Sequence, residues 1–305
     1  MEIIEPKECR GDKFMLQIPN AERALVLTQA LPYIQKYNNK IVVIKYGGNA
    51  MTCEELKEQV MEDIVLLSLI GVKVVLVHGG GPEITNTLTQ IGKESKFVNG
   101  LRVTDEETVQ VVQMVLAGKI NKNLVNLLGT KGGKAIGISG IDAHIIEAEM
   151  KDEELGYVGD ITKVNVTPIL DLLEKGYIPV VSTIASDKEG NVYNINADTA
   201  AAYIAGAMNS ENLISMTDIA GVLRDKDDVN TLIPCIDISE AKALMEEGVI
   251  NGGMIPKIGC CIKAIECGVQ KVVIMDGRVP HALLIEMLTD EGAGTMVIGE
   301  KNNEC

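Results

Sequence analysis

Ile41-Val-Val-Ile-Lys45-Tyr-Gly47-Gly48-Asn-Ala50 sets four β-favouring apolar residues against a lysine and a glycine pair. Val74-Val-Leu-Val77-His78-Gly79-Gly80-Gly81-Pro82 repeats the design with three glycines. These runs, like Val272-Val-Ile-Met275, are apolar on both alternating faces, which marks strands covered by helices on both sides. A third block, Gly252-Gly253-Met-Ile-Pro-Lys257, reads as glycines opening a helix that carries a lysine. Glycine lets a backbone approach an anion closely, and the free amides of a helix N-terminus carry partial positive charge. Two lysines far apart in sequence, each beside a glycine pair, point to a phosphoryl group held from both sides. The chain reads as a phosphotransferase.

Working outward, strand-like runs at 41–46, 73–78, 134–139, 178–184, 212–217 and 271–276 alternate with helical stretches near 52–70, 82–91, 105–130, 164–175, 197–208, 238–248, 254–267 and 280–288. This order predicts a three-layer αβα sandwich with a mainly parallel central sheet. His144–Met150, Gly156–Ile161 and the turn Asp187-Lys-Glu-Gly190-Asn read as hairpins laid over the first half. Before Lys40, a helix capped by Asn20 carries the stripe Ala24, Leu27, Leu31 and Ile34, and Pro32 predicts a kink. That stripe packs either on its own domain or on another subunit. The polar stretch Met208-Asn-Ser-Glu211 divides the rest, giving 1–39 as an N-terminal helical unit, 40–208 as a first lobe and 209–305 as a second.

A length of 305 residues fits two lobes better than one, since single domains usually run ~100–200 residues. A formal net charge of -15 argues against nucleic acid or an anionic membrane as partner. The seven cysteines form no Cys-x-x-Cys pair, and Cys260-Cys261 fits a reduced chain without zinc. The start, Met1-Glu-Ile-Ile-Glu-Pro-Lys7, lacks a signal-peptide pattern, so a soluble cytoplasmic protein is expected.

Each motif has a competing meaning. His-Gly-Gly-Gly also builds oxyanion holes, but those accompany a Gly-x-Ser-x-Gly elbow, and Gly137-Ile-Ser139-Gly140 has the wrong spacing. Neither the P-loop nor the dinucleotide fingerprint occurs. In Asn194-Ile-Asn196-Ala-Asp198, alternation throws the three polar residues to one side; Asp198 then either caps the following helix or fixes two lysines. Arg102, in Asn99-Gly-Leu-Arg-Val-Thr104, offers a planar fork suited to a carboxylate. Neither His144 nor His281 has a catalytic partner by spacing.

Taken together, these blocks and Met216-Thr-Asp-Ile-Ala-Gly-Val222 resemble the amino acid kinase family, and within it the acetylglutamate kinases, over roughly residues 40–300. The resemblance implies transfer of phosphate from ATP to the side-chain carboxylate of N-acetyl-L-glutamate, a step of arginine synthesis. It implies that Lys45, Lys257 and Asp198 are catalytic and that Gly47, Gly48 and Gly80 bind the phosphoryl group. Gly80, Gly81, Arg102, Asn194 and Asn196 would bind the acylated amino acid; Thr217, Asp218, Gly221, Gly252 and Gly253 would bind the nucleotide. Mg2+ would arrive on the nucleotide phosphates, with no metal held by the protein. The N-terminal helix is similar to that of arginine-inhibited hexameric members, which implies a homodimer assembled into a trimer of dimers and an L-arginine site near His281, Glu286, Gly292 and Gly294. A glutamate 5-kinase-like enzyme and an arginine-sensing module with weak catalysis are the alternative readings.

Overall fold

The computed structural model describes residues 19–51 and 53–299. Most of the first half of the expected unit 1–39, together with Cys9 and Cys305, lies outside the described residues. Two helices come first, α1 (Asn20–Gln29) and α2 (Leu31–Tyr37). They break at Ala30, and Pro32 sits in the first turn of α2, where a missing N–H costs nothing. The expected kink is thus a break between helices. Asn20 does not cap: Pro19 holds that position, and Asn20 is the first helical residue. No residue of α1 is buried, and Leu25, Val26 and Leu27 are 57%, 59% and 74% exposed. By contrast, α2 buries Tyr37 and packs on the C-terminal part of the chain.

The elements that follow are β1 (Ile41–Tyr46), α3 (Glu54–Leu69), β2 (Lys73–His78), α4 (Gly81–Gln90), β3 (Phe97–Val98), β4 (Leu101–Arg102) and α5 (Glu106–Gln113). A π-helical segment, Met114–Ile120, joins α5 to α6 (Asn121–Thr130). Next come β5 (Ala135–Ser139), β6 (Ile146–Met150), β7 (Gly159–Val164), α7 (Thr167–Glu174), β8 (Ile178–Ser182), β9 (Ile184–Ser186), β10 (Val192–Asn194) and α8 (Ala197–Ala207). The chain continues through β11 (Asn212–Thr217), β12 (Cys235–Asp237), α9 (Ile238–Glu246), α10 (Met254–Glu266), β13 (Lys271–Asp276), α11 (Ala282–Leu288) and β14 (Gly294–Ile298).

Eight strands form one sheet in the order β12-β14-β13-β11-β1-β2-β8-β5. All pairs are parallel except β13 with β14. Alternate residues of one strand feed opposite faces: Val42 and Ile44 join one apolar cluster, Val43 the other. Both faces are therefore covered by helices, as the unbroken apolar runs require. A second sheet, β10-β9-β6-β7, and the hairpin β3-β4 flank the C-terminal ends of β1, β2 and β8. The turn after Asp187 closes the β9–β10 pair, with its N–H donating to Asn191 O at 3.1 Å.

Three expectations need correction. The single helix over 105–130 is interrupted by the π-helical segment, whose wider turn shifts the register of the apolar stripe. Two short strands, β12 and β14, were not expected; β12 has only three residues, too few for a period-2 signal. Finally, Cys235, half-buried on the edge strand β12, is disulfide-bonded where a reduced chain was expected. Cys53, Cys260, Cys261 and Cys267 are free. No described helix is long and apolar enough to cross a membrane.

Candidate active site

Parallel strands end together, so the loops after β1, β2 and β11 converge on one edge of the sheet. Lys45, next to last in β1, is paired in register with Ser215 of β11 and Val77 of β2. Its Nζ lies 3.0 Å from Asp198 Oδ1, and Lys257 Nζ lies 3.4 Å from Asp198 Oδ2. One carboxylate in α8 thus spans two lysines, from β1 and from the first turn of α10. Ser215 Oγ adds a bond to Asp198 Oδ1 at 3.3 Å. Burial pushes the Asp198 carboxyl up, but the two ammonium groups overcome it and hold the group below its ordinary value. Asp198 is not the cap of α8. Asn196 is, its side-chain oxygen accepting from Thr199 N at 3.0 Å.

The glycines make room for this arrangement. A Cβ on Gly47 would stand 3.0 Å from Lys45 Nζ, so the lysine folds back only over glycine. Gly48 has φ +72°, and a Cβ there would meet the Asp218 carboxylate at 2.6 Å. Gly80 is closed in from above by the π-helical segment: its Cβ would meet Ile120 Cδ1 at 2.2 Å and Leu116 Cδ2 at 2.7 Å. These glycines, Lys45, Asp198 and Lys257 line a cleft of about 430 Å³ that also receives Gly81, Arg102, Asn194 and Asn196. Arg102 is buried, with Nη2 donating to Gly81 O at 3.0 Å and Thr85 Oγ1 at 2.8 Å, and Nη1 to Ser95 Oγ. Its guanidinium lies over the Phe97 ring of the β3–β4 hairpin at 4.7 Å. Asn194 Nδ2 reaches Thr104 Oγ1 at 3.4 Å. An adjoining cavity of about 390 Å³ shares Asp198 and Lys257 and adds Gly253 and Cys260.

The residues expected around the nucleotide divide. Thr217 ends β11 and Asp218 follows it, its carboxylate filling the space that a Cβ on Gly48 would take. Gly253 precedes α10 and lines the adjoining cavity, next to Gly252 at φ +53°. Gly221 instead packs on β14, where a Cβ would meet Thr295 Oγ1 at 2.4 Å. Sequence reading missed Ser95, Thr85, Ser215, Leu116 and Ile120. Only Ser215 had a usable signal, its place at the end of a strand adjacent to Lys45. Among the described residues no group of three or more His, Cys, Asp or Glu side chains is placed to hold a metal ion.

Residues 40–276 match the amino acid kinase family. The chain belongs to that family. Two acetylglutamate kinases place it within the family. That of Brachyspira hyodysenteriae is 57% identical over 92% of this chain and 99% of its own length. That of Clostridium beijerinckii is 52% identical over 91% and 99%. The fold is shared with an N-acetylglutamate synthase from Neisseria gonorrhoeae solved with coenzyme A and N-acetyl-glutamate, at a TM-score of 0.81 and 24% identity, covering 92% of this chain and 64% of that one.

In this amino acid kinase, the residues expected to form an arginine site also divide. Glu286 and Gly292 line a cavity of about 310 Å³ together with Tyr33 and Lys36 of α2 and with Lys271. Burial pushes the Glu286 carboxyl up, against the pull of the Ala293 N–H that it accepts at 2.9 Å. Gly294 lies in β14 against the backbone of β13, and His281 faces α3, its Nδ1 2.6 Å from Asp63 Oδ1. Neither lines that cavity.

Asp63 is 1% exposed, and its Oδ2 has no hydrogen-bond partner. Burial pushes its carboxyl from 3.8 to about 6 despite the pull of His281. Between those values the unfolded chain has released a proton that the folded chain keeps, so folding loses stability as pH rises. The loss is complete above about 6. We expect the stability of the wild type minus that of Asp63→Asn to fall by about 3 kcal/mol from the bottom to the top of this window in urea titrations. A difference that stays flat, or rises with pH, would contradict the buried carboxyl.

Proposed function

We propose that this chain transfers the γ-phosphoryl group of ATP to the side-chain carboxylate of N-acetyl-L-glutamate, giving N-acetyl-L-glutamyl 5-phosphate and ADP. The observation that carries the reading is Asp198 bridging Lys45 and Lys257 at the mouth of a cleft floored by Gly48 and Gly80. A carboxylate oxygen attacks the γ-phosphorus as the bond to the ADP oxygen breaks. With an ordinary pKa near ~4.3, that nucleophile is already ionised at neutral pH and needs no general base. What the reaction needs is alignment of two anions and cancellation of charge on the transferring group. Lys45 serves the acceptor half, 40–208, and Lys257 the nucleotide half, 209–305. Mg2+ would be held by the ATP phosphates, where it would offset their charge. A coupled ADP-release assay with N-acetyl-L-glutamate, free glutamate and carbamate tests the reading; a preference for free glutamate would replace it with a glutamate 5-kinase.

Arg102 forks onto the α-carboxylate of the acylated amino acid, and Asn194 holds the substrate beside it. Arg102→Lys keeps the charge but loses the planar pair of donors. It should raise KM for N-acetyl-L-glutamate by on the order of tenfold or more and leave KM for ATP nearly unchanged. A rise confined to ATP would remove Arg102 from the acceptor side.

L-arginine inhibits by binding the cavity of Glu286, Gly292 and α2, where a half-buried carboxylate awaits a guanidinium. The exposed Leu25, Val26 and Leu27 of α1 cover one another between dimers, which makes a hexamer. Deleting residues 1–38 removes Tyr33, Lys36 and Tyr37 from the cavity and should leave an active dimer insensitive to arginine. Light scattering and an inhibition curve check both halves. A truncated protein that stays hexameric and inhibited would refute the assignment.

A further inference from the structure

His78 is fully buried between the sheet and the π-helical segment, directly before the three glycines. Its Nδ1 lies 3.0 Å from Gly79 O and its Nε2 3.2 Å from Asn121 Nδ2. The orientation of the Asn121 amide is fixed by its other partners. Nδ2 also donates to Val180 O at 2.9 Å and Ile138 O at 3.2 Å, while Oδ1 accepts from Lys122 Nζ at 3.0 Å. Both carbonyls demand a donor, so the atom facing His78 Nε2 is the amide nitrogen, whose two hydrogens are shared among three acceptors and which cannot itself accept a hydrogen bond from the ring. The ring nitrogen there must present its lone pair, and the proton must sit on Nδ1, which donates to Gly79 O. Burial pushes the imidazole down to about 4, so the ring stays neutral at any working pH.

The consequence lies in the next peptide. Gly79 C=O and Gly80 N–H belong to one trans peptide and point in opposite directions. A ring that holds the carbonyl from the buried side turns the amide away from itself, and Gly79, Gly80 and Gly81 all line the cleft. The Gly80 amide donates to no group among the described residues. We infer that His78, as the Nδ1–H tautomer, is a positioning residue that locks the Gly79–Gly80 peptide with its N–H aimed at the transferring phosphoryl group. Asn121 begins α6 where the π-helical segment ends, so the same network fixes Leu116 and Ile120 over Gly80. Sheet, glycine loop and π-helical segment are thereby tied at one imidazole. The inference rests on the proposed phosphoryl transfer.

Two measurements test it separately from that reading. The first is ¹⁵N NMR of the imidazoles in the wild-type chain, which has three histidines. His78 should show a protonated Nδ1 and an unprotonated Nε2 throughout the neutral pH range; the opposite tautomer overturns the inference whatever the activity. The second compares His78→Asn with His78→Gln. Asparagine places an N–H near the Nδ1 position and keeps the bond to Gly79 O. Glutamine reaches the Nε2 position, keeps a partner for Asn121 and releases Gly79 O. If His78 acts on the peptide, His78→Gln should lose about tenfold or more in kcat at nearly constant KM, and His78→Asn should keep most of it. If the ring merely supports Asn121, the ranking reverses, and that reversal defeats the inference. Equal kcat in both variants does the same. Should either variant fail to fold, the wild-type tautomer decides. A wild type with the expected tautomer but no turnover of N-acetyl-L-glutamate sinks the functional reading and leaves the tautomer standing.

Discussion

Replacing Lys45 by alanine is expected to lower turnover on the order of 10²-fold or more, and Lys257→Ala to do so from the opposite side of the cleft. Lys45 is nearly buried, 3.0 Å from a carboxylate shared with Lys257. Its ammonium group is therefore already desolvated and already placed, and it need not reorganise when charge develops on the transferring phosphoryl group. Stabilisation of that kind appears in kcat, so KM for either substrate should move far less. Removing Lys45 also leaves Asp198 with only the farther lysine. Part of its opposing charge is lost, and Lys257 should shift towards the carboxylate. Steady-state kinetics of both variants, with melting curves to confirm folding, supply the check. Turnover close to wild type in either one would remove the two-sided clamp from the mechanism.

Gly294→Ala is expected to cause the largest loss of stability, about 3 kcal/mol or more. A Cβ at this position would stand 2.0 Å from Ile274 O and 2.9 Å from Met275 Cα. These are backbone atoms of the paired strand, so no side chain can swing aside to relieve the contact. Gly294 pairs in register with Met275, and forcing the two apart opens the β13–β14 ladder at one end. Chemical denaturation measures the effect, and the inhibition by arginine proposed above should be unchanged in the folded fraction. Gly292→Ala is the informative contrast. There φ is +68° and the nearest atom to a Cβ is Glu286 Oε2 at 3.5 Å, so the change strains a turn that borders the cavity. A stable Gly294→Ala protein with altered inhibition would return that glycine to the regulatory site.

The strands that build the site were legible because each carries an apolar run, and β1 and β2 are closed by glycine. Lys45 and Lys257 followed from the glycine pairs near them, whereas the role of Asp198 was left open by its residues and came only with the family resemblance. Asn196 shows the limit of that reading. Alternation placed it on the same side as Asp198, but which of two carbonyl-bearing side chains caps α8 depends on local dihedral angles that composition does not encode. The π-helical segment was invisible for a related reason, since one extra residue per turn shifts an apolar stripe without breaking it. His281 had no catalytic partner by spacing and was placed only near the expected arginine site. Its partner, Asp63, lies 218 residues away in sequence and meets it only through packing of α11 on α3. The strand β14 was missed because it has only five residues and opens on Gly294, which reads as part of a turn.

The placement of β14 also bears on the order of assembly. It follows every other strand in sequence, yet it lies inside the sheet, between β12 and β13. Until residues 294–298 have left the ribosome, β12 has no neighbour and β13 ends in an open row of amides and carbonyls. The central strand β1 waits as well, because one of its two partners is β11, some 170 residues downstream. Nascent chains are thus obliged to carry a half-paired, strongly apolar sheet through most of their synthesis. Long-range parallel pairing of this kind folds slowly and exposes edges while it does so. Demand for chaperones should accordingly peak late in translation, and a released chain truncated before residue 294 should be more prone to aggregate than one that includes residues 294–298.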